Sequence, residues 1–325
     1  MKFGYGLITC QRPPDDPRTD AEIYRDAIAR AVKAEELGLD SVWLSEHHFL
    51  DDGYMPSVLV LAAAIAQATS KITIGTAVLL APLYDPWRLA EDAATVDLIS
   101  NGRFVLGIGA GWRPEEFDVL GVSLSDRGKA MTRTVKVLRG AWGTELFEGV
   151  NVTPKPAHKI PIWLGGFAPA AVRRAGRIGD GFLGSTSGAS GIEAFVEAKR
   201  MAIEARATTE RSGAGREFTF ALHVPVYVGD WDDVKKYYHY LRWKYPDMGA
   251  ARGSTVAKSP PPLTEEIEAQ LRPTIICGNA DEVRAEIDRF RQALGDDTHF
   301  ICRSDFPGMP QDRSLDLMER IADLL

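Results

Sequence analysis

The stretch Ser41-Val42-Trp43-Leu44-Ser45-Glu46-His47-His48-Phe49 decides how the rest of the chain is read. Ser41 to Ser45 reads as a short strand, and it runs without a turn into a carboxylate and two imidazoles. In a parallel barrel the C-terminal strand ends face the mouth where chemistry is done. An imidazole held there can donate a hydrogen bond or move a proton near neutral pH. His47 is therefore the candidate catalytic residue. The plainer alternative is a histidine that packs the barrel rim, and Glu46 and His48 read as supporting groups. A metal site needs three or more convergent ligands. The remaining histidines (His158, His223, His239 and His299) show no ligand spacing, so no metal is expected.

Outward from this stretch the chain alternates short apolar runs with amphipathic ones. Upstream, Lys2 to Thr9 is the first strand, and Ala21 to Leu37 is a helix with Ile23, Ala27, Ala31 and Ala34 at helical spacing. Gly38 stands where a helix stop belongs. Downstream, Val58–Ala68 is an Ala-rich helix. Lys71 to Leu80 is a third strand, apolar enough to be buried on both faces of a parallel sheet. Further strands are expected at Arg103–Gly109, Pro161–Leu164, Gly181–Leu183, Phe218–Val228 and Thr298–Arg303. Helices fall at Trp87–Ile99, Arg127–Trp142, Pro169–Ile178, Ile192–Ala205 and Ser314–Leu324. Eight strands separated by helices imply right-handed parallel crossovers, and so an α/β fold. The count suggests a closed (β/α)8 barrel over a doubly wound open sheet. Residues 1–325 then form one domain. Two segments break the rhythm: Phe147–Lys159, a Pro-containing excursion, and Trp231–Pro273, an insertion too long for an ordinary loop. The second holds an aromatic helix, Tyr237 to Tyr245, then a loose stretch from Gly249 to Pro262, and reads as a lid over about 230–273.

The 325 residues carry a formal net charge of −7 and are 45% hydrophobic and 26% charged. An acidic chain does not draw phosphodiester backbones by bulk charge, which argues against a nucleic-acid partner. No run is long and apolar enough to span a bilayer, so no membrane partner is expected. Cys10, Cys277 and Cys302 make no CxxC pair or disulfide framework, and the Met1–Leu7 opening has no signal-peptide pattern; a reducing cytoplasm is the expected compartment.

Two glycine-rich strand ends add to the candidate site. Gly107-Ile108-Gly109-Ala110-Gly111-Trp112 lacks the full dinucleotide fingerprint, but its small residues would let a flat ring or a phosphate approach the backbone. A tight turn that needs glycine explains it equally well. Trp163-Leu164-Gly165-Gly166-Phe167-Ala168-Pro169 leads glycines into a helix start, a pattern that binds anions. Arg127 would supply a cation to a phosphate there.

These residues together resemble the bacterial luciferase-like, flavin-dependent monooxygenases. The resemblance is carried by Asp40–Phe49, by Ile74-Gly75-Thr76-Ala77-Val78 with Asp85–Leu89, and by Leu98–Phe104. Pro161–Gly166 and the C-terminal His299–Ile301 with Phe306–Met309 extend it over most of the chain, weakest across 230–273. It implies a (β/α)8 TIM barrel with an insertion after the seventh strand, and FMN, reduced FMN or a deazaflavin at the strand ends. It implies that His47 lies beside the flavin and that Ala77–Val78 is a non-prolyl cis peptide against the ring. Gly109 stands where the family's luciferases carry a reactive cysteine, and Ala110 where they carry a phosphate-contacting arginine. Arg127 matches a second such arginine. Phe167 and Ala168 replace a Glu-Ser pair near the phosphate. Cofactor contacts are thus expected from Ala77, Val78, Gly109, Arg127, Gly165, Gly166, Phe167 and Ala168.

The first functional expectation is a monooxygenase that takes reduced FMN as cosubstrate, supplied by a separate flavin reductase, with dioxygen and a small organic substrate. The alternatives are a deazaflavin-dependent dehydrogenase or reductase that moves hydride, and a non-catalytic flavin-binding subunit. The resemblance also implies a homodimer.

Overall fold

A computed structural model describes residues 1–186, 191–212, 217–250 and 254–325. Eight parallel strands form a ring: β1 (Lys2–Ile8), β2 (Ser41–Leu44), β3 (Thr73–Thr76), β5 (Phe104–Gly109), β6 (Ile162–Gly165), β7 (Gly181–Ser185), β8 (Thr219–Val228) and β10 (Thr298–Arg303). Each pairs with the next, and β10 closes the ring by pairing with both β8 and β1. The fold is a TIM barrel. Two short strands sit beside the ring. β4 (Leu79–Leu80) pairs with the top of β5, and β9 (Ile276–Gly278) pairs with the top of β8.

The helices lie where patterning and capping put them. α1 (Asp20–Glu36) opens with Thr19 and Glu22 in a reciprocal capping box and stops before Gly38, whose φ is +78°. α2 (Val58–Ala68) and α6 (Pro169–Ile178) match the expected bounds. α3 (Pro86–Ser100) starts on Asp85, whose carboxylate accepts from the Trp87 and Arg88 amides, with Pro86 at the first helical position. α4 (Pro114–Val119), α5 (Arg127–Ala141), α7 (Ile192–Ala207), α8 (Trp231–Ala250), α9 (Glu265–Leu271), α10 (Ala280–Leu294) and α11 (Gln311–Ala322) complete the set.

Two expectations need correction, and one long helix went unread. The third strand is not one run from Lys71 to Leu80. It breaks into β3 and β4 at the cis Ala77–Val78 peptide, and apolar composition cannot reveal a backbone break. The insertion is more ordered than a loose stretch. α8 extends the aromatic helix to both sides, and Thr264 caps α9, although residues 251–253 of the expected loose stretch lie outside the described residues. Finally, α10 carries a full capping box, Asn279 with Glu282, a start signal the rhythm of strands had obscured.

The barrel interior explains which end carries the chemistry. Trp43 and Trp163 stack across it at 5.1 Å and 24°, and His299 meets Trp43 edge-on at 5.6 Å. Trp43 Nε1 donates to Ser41 Oγ (2.7 Å), which in turn bonds His299 Nε2 (2.7 Å). Strand glycine makes the room: a Cβ on Gly75 would lie 2.2 Å from Trp43 Cζ3. The lower barrel is a packed plug, so a ligand has only the upper end to enter.

Gly75→Ala should therefore overpack the plug and cost about 1–3 kcal/mol of unfolding free energy, read by urea denaturation; a change below ~0.5 kcal/mol would contradict the packing described. Burial, only partly countered by Asp40, pushes the His299 imidazole down to about 4. The unfolded chain, at an ordinary pKa of about 6.5, then binds a proton that the folded one refuses, so stability falls as pH drops from 6.5 toward 4, by up to about 1.4 kcal/mol per pH unit. His299→Gln should flatten that slope relative to wild type; parallel stability curves over this window would refute the assignment.

Candidate active site

β2 ends at Leu44, and the chain leaves the barrel rim through Ser45, Glu46 and His47, all buried. The backbone there is held from both sides: Ser45 N–H donates to Ile8 O (3.1 Å) and His47 N–H to Met55 O (3.2 Å). His47 Nδ1 lies 2.8 Å from Glu116 Oε1, and that same oxygen accepts the His48 amide at 2.9 Å. An oxygen already accepting one N–H is the acceptor for the second, so Nδ1 carries the hydrogen, and in the neutral imidazole Nε2 keeps its lone pair. Glu116, on α4, is fully buried and its Oε2 has no partner. Aromatic rings enclose the imidazole: Tyr54 at 4.9 Å, Trp112 at 6.0 Å and Tyr245 at 6.3 Å between centroids, all near perpendicular.

Glu46 and His48 form a separate pair. His48 Nε2 is 2.8 Å from Glu46 Oε1, and Tyr84 donates to Glu46 Oε2 at 3.0 Å. Burial opposes charge on His48, but the hydrogen bond and charge of Glu46, with Glu116 nearby, outweigh it and raise the imidazole pKa. The pair supports the rim, the role the sequence suggested for both residues.

The glycine-rich strand ends converge on Val78. A Cβ on Gly109 would sit 2.3 Å from Val78 Cγ2, and one on Gly165 would sit 2.9 Å from Val78 Cγ1. The cis Ala77–Val78 step, which the resemblance implied, is present. Ala77 N–H bonds Leu44 O at 2.6 Å, three residues before His47. His47, Ala77–Val78, Gly109 and Gly165 thus share the C-terminal end of the barrel. Around His47 they offer a side-chain-poor strand rim, enclosing aromatic rings and a buried carboxylate oxygen without a partner. Such an unsatisfied oxygen is costly unless a bound molecule supplies a donor. An acceptor of this kind fits an N–H on the polar edge of a flat heteroaromatic ring.

The outer part of the expected cofactor site is placed less decisively. Gly166, Phe167 and Ala168 form the β6–α6 turn; Gly166 has a φ of +154° and Phe167 is 80% exposed. Arg127 begins α5, but its guanidinium folds back on Leu124 O at 2.7 Å. An open concavity of about 450 Å³ lies between α5 and α6, lined by Ala170, Arg173, Arg174 and Arg177. These arginines belong to the middle and last turn of α6, and a Cβ on Gly128, at the start of α5, would lie 2.8 Å from Arg174 Nη2.

Sequence reasoning missed several members of the mouth. Glu116 follows the glycine-rich turn but was not given a role. Tyr245 comes from the aromatic helix of the expected lid; Tyr237, Tyr238 and Tyr240 pack in the core, whereas Tyr245 faces His47. Arg303 ends the last strand, where the rule that selected His47 would have selected it too. The insertion is tied over the mouth by Tyr240 OH to Asp52 (2.9 Å), by the buried Lys244–Asp51 pair, and by Arg113, which donates to Met248 O (2.9 Å) and His48 O (2.8 Å). Among the described residues no group of three or more His, Cys, Asp or Glu is placed to hold a metal, and no helix is long and apolar enough to cross a membrane.

A closed parallel barrel with an imidazole–carboxylate pair at its mouth defines a TIM-barrel enzyme of the luciferase-like type. Residues 1–298 match the luciferase-like monooxygenase family, and the chain belongs to that family of oxidoreductases. It is similar to an F420-dependent glucose-6-phosphate dehydrogenase of Amycolatopsis mediterranei (strain U-32), 30% identical over 291 residues, 83% of this chain and 86% of that one. It is also similar to an alkanal monooxygenase alpha chain of Photorhabdus luminescens, 34% identical over 162 residues, which are 50% of this chain and 44% of that one. Among solved structures, the monooxygenase RslO1 of Streptomyces bottropensis shares the fold with a TM-score of 0.79 at 23% identity, over 100% of this chain and 98% of that one. The relatives thus include both flavin monooxygenases and F420-dependent dehydrogenases.

Arg113→Ala should remove two charge-assisted hydrogen bonds between the insertion and the rim. At about 1.5–3 kcal/mol each, the unfolding free energy should drop by roughly 3–6 kcal/mol in urea, and α8 should become more sensitive to proteolysis near Met248. A drop below ~1 kcal/mol with unchanged cleavage would show that this tie is dispensable.

Proposed function

We propose that the chain is a deazaflavin-dependent oxidoreductase that moves a hydride between a small organic substrate and F420, with His47 handling the accompanying proton. The observation that carries this reading is the 2.8 Å bond from His47 Nδ1 to Glu116 Oε1, which leaves Nε2 as an acceptor at the mouth. Oxidation of an alcohol carbon releases one hydride and one proton. The bound deazaflavin supplies the hydride acceptor. His47 Nε2 takes the hydroxyl proton, and Glu116 fixes the tautomer and steadies the positive charge that develops on the imidazole. Val78, with Gly109 and Gly165 behind it, is the surface against which the ring would rest. Tyr54, Trp112 and Tyr245 limit water around the imidazole. The similarity to an F420-dependent dehydrogenase over most of both chains supports the same reading.

The reduced-FMN monooxygenase is the second reading, favoured by the 34% identity to an alkanal monooxygenase alpha chain over half of this chain. There His47 would have to act chiefly as a hydrogen-bond donor to an oxygen species. Its geometry as an acceptor is what ranks this reading second. A separate reductase, dioxygen and a homodimeric assembly belong to it as proposals.

Titration of the purified protein with F420 and FMN, each oxidised and reduced, separates the two readings. Micromolar or tighter binding of F420, with FMN at least tenfold weaker, is expected; the reverse preference, with peroxide formed on mixing the reduced-FMN complex with dioxygen, favours the second. With a panel of alcohols, His47→Ala and Glu116→Gln should each slow F420 reduction by about 10²–10⁴-fold, and the double variant should be little worse than His47→Ala alone, because the two side chains act as a unit.

A further inference from the structure

Arg303 is the last residue of β10, two positions beyond Ile301, whose side chain belongs to the barrel interior. Alternation along the strand therefore turns Arg303 inward at the mouth. It is 6% exposed. Its Nη2 donates to the Tyr245 hydroxyl at 2.9 Å and its guanidinium lies over that ring at 5.3 Å, but Nε has no partner among the described residues. Among the described residues no carboxylate forms a salt bridge with it. The nearest acid in sequence, Asp305, faces Arg30 at 3.5 Å. Across the ladder His223, which pairs in register with Ile301, presents a buried Nδ1 that is also without a partner. Desolvation and the charge of Arg303 push that imidazole down to about 3, so it stands as a neutral hydrogen-bonding group. Although burial opposes it, Arg303 draws the Tyr245 phenol below its ordinary pKa.

A buried guanidinium without a salt-bridged carboxylate is expensive, and functional sites are where proteins keep such a cost. Tyr245 ties this charge to the imidazole of His47, 6.3 Å away between ring centroids. We propose that Arg303, flanked by Tyr245 and His223, binds an anionic group carried by the substrate (a carboxylate, sulfonate or phosphate) and thereby selects acidic substrates and aims them at His47. Arginine suits this task because its planar fork matches the oxygens of all three groups. The proposal rests on the mouth being the reaction site, as set out above, but not on which cofactor fills it.

The test uses the full chain without cofactor and three probe anions, benzoate, methanesulfonate and inorganic phosphate, with methyl benzoate as the neutral control. Calorimetry should show at least one anion binding and raising the Tm, with methyl benzoate at least tenfold weaker. Arg303→Met should weaken that anion at least tenfold and raise the ligand-free Tm by about 2–4 °C, because an uncompensated buried charge has been removed. Arg303→Lys, which keeps the charge but loses the fork, should weaken it severalfold and serves if the Met variant does not fold. F420 affinity should be unchanged in the variant that folds. If F420 fails to bind wild type while the anion still does, the cofactor reading falls and this one stands. The proposal is overturned if no probe anion binds wild type, or if the variants bind it as tightly. It is also overturned if Arg303→Met loses affinity only for the reduced cofactor, which would make the ring itself the anion. Tyrosinate absorbance at 295 nm at pH 7 that disappears in Tyr245→Phe would mean that the protein supplies its own counter-charge, and would overturn it as well.

Discussion

Two indole rings stacked across the lower barrel set the terms for everything above them. Trp43 and Trp163 fill the interior so fully that the facing strands carry glycine, with Gly75 against the Trp43 ring and Gly181 against Trp163. The polar groups beside these rings, Trp43 to Ser41 to His299, bond to one another. A plugged base leaves one open end, and parallel strands put all eight C-termini there. Inward-facing side chains one layer higher have no such packing partners and are instead polar or absent: Ser45, Gly109, Gly165, His223, Arg303. The division between a packed lower half and a reactive upper rim is therefore a consequence of side-chain volume as much as of topology.

The rim itself is held by groups that come from distant parts of the chain. His47 follows β2, Glu116 sits on α4 after β5, Tyr245 descends from the insertion and Arg303 ends β10. Each contact among them spans many residues in sequence, so loop closure is costly unless something anchors each segment. The anchors are visible. Arg113 bridges the β2 loop and the insertion, Asp52 takes Gln11 and Tyr240, and Lys244 is buried against Asp51. These ties hold aromatic rings over the imidazole while leaving its Nε2 unengaged. Rigid support around one free lone pair is the arrangement that general base catalysis asks for.

Much of the barrel was legible in the sequence. Strand-helix alternation located all eight ring strands, because a strand buried on both faces must be apolar throughout and its flanking helices must be amphipathic. Among the elements that escaped, β9, only three residues long, α4, a six-residue helix between glycine-rich and charged turns, and the seven-residue α9 have weak composition signals, whereas α10 carries a clear capping box. The break in the third strand escaped for a different reason. Val and Leu on either side read as one apolar run, and nothing in residue type marks a cis peptide.

Within the site, His47 was readable because a histidine directly after a short apolar strand is unusual enough to stand out. Glu116 was not, since a glutamate among charged neighbours on a short helix looks like a solvated surface residue; its burial depends on a fold that brings α4 back over β2. Arg303 illustrates the opposite failure. Its position at the end of the last strand satisfied the same rule as His47, yet an arginine in a polar turn is read by habit as exposed. Burial converts both from solvated charges into specific ones. Oppositely charged, they occupy the same mouth: Glu116 is engaged by His47 and by the His48 amide, and Arg303 by Tyr245. On the readings proposed above, the carboxylate held by an imidazole would govern where a proton goes, and the guanidinium would govern which molecule is present to give it.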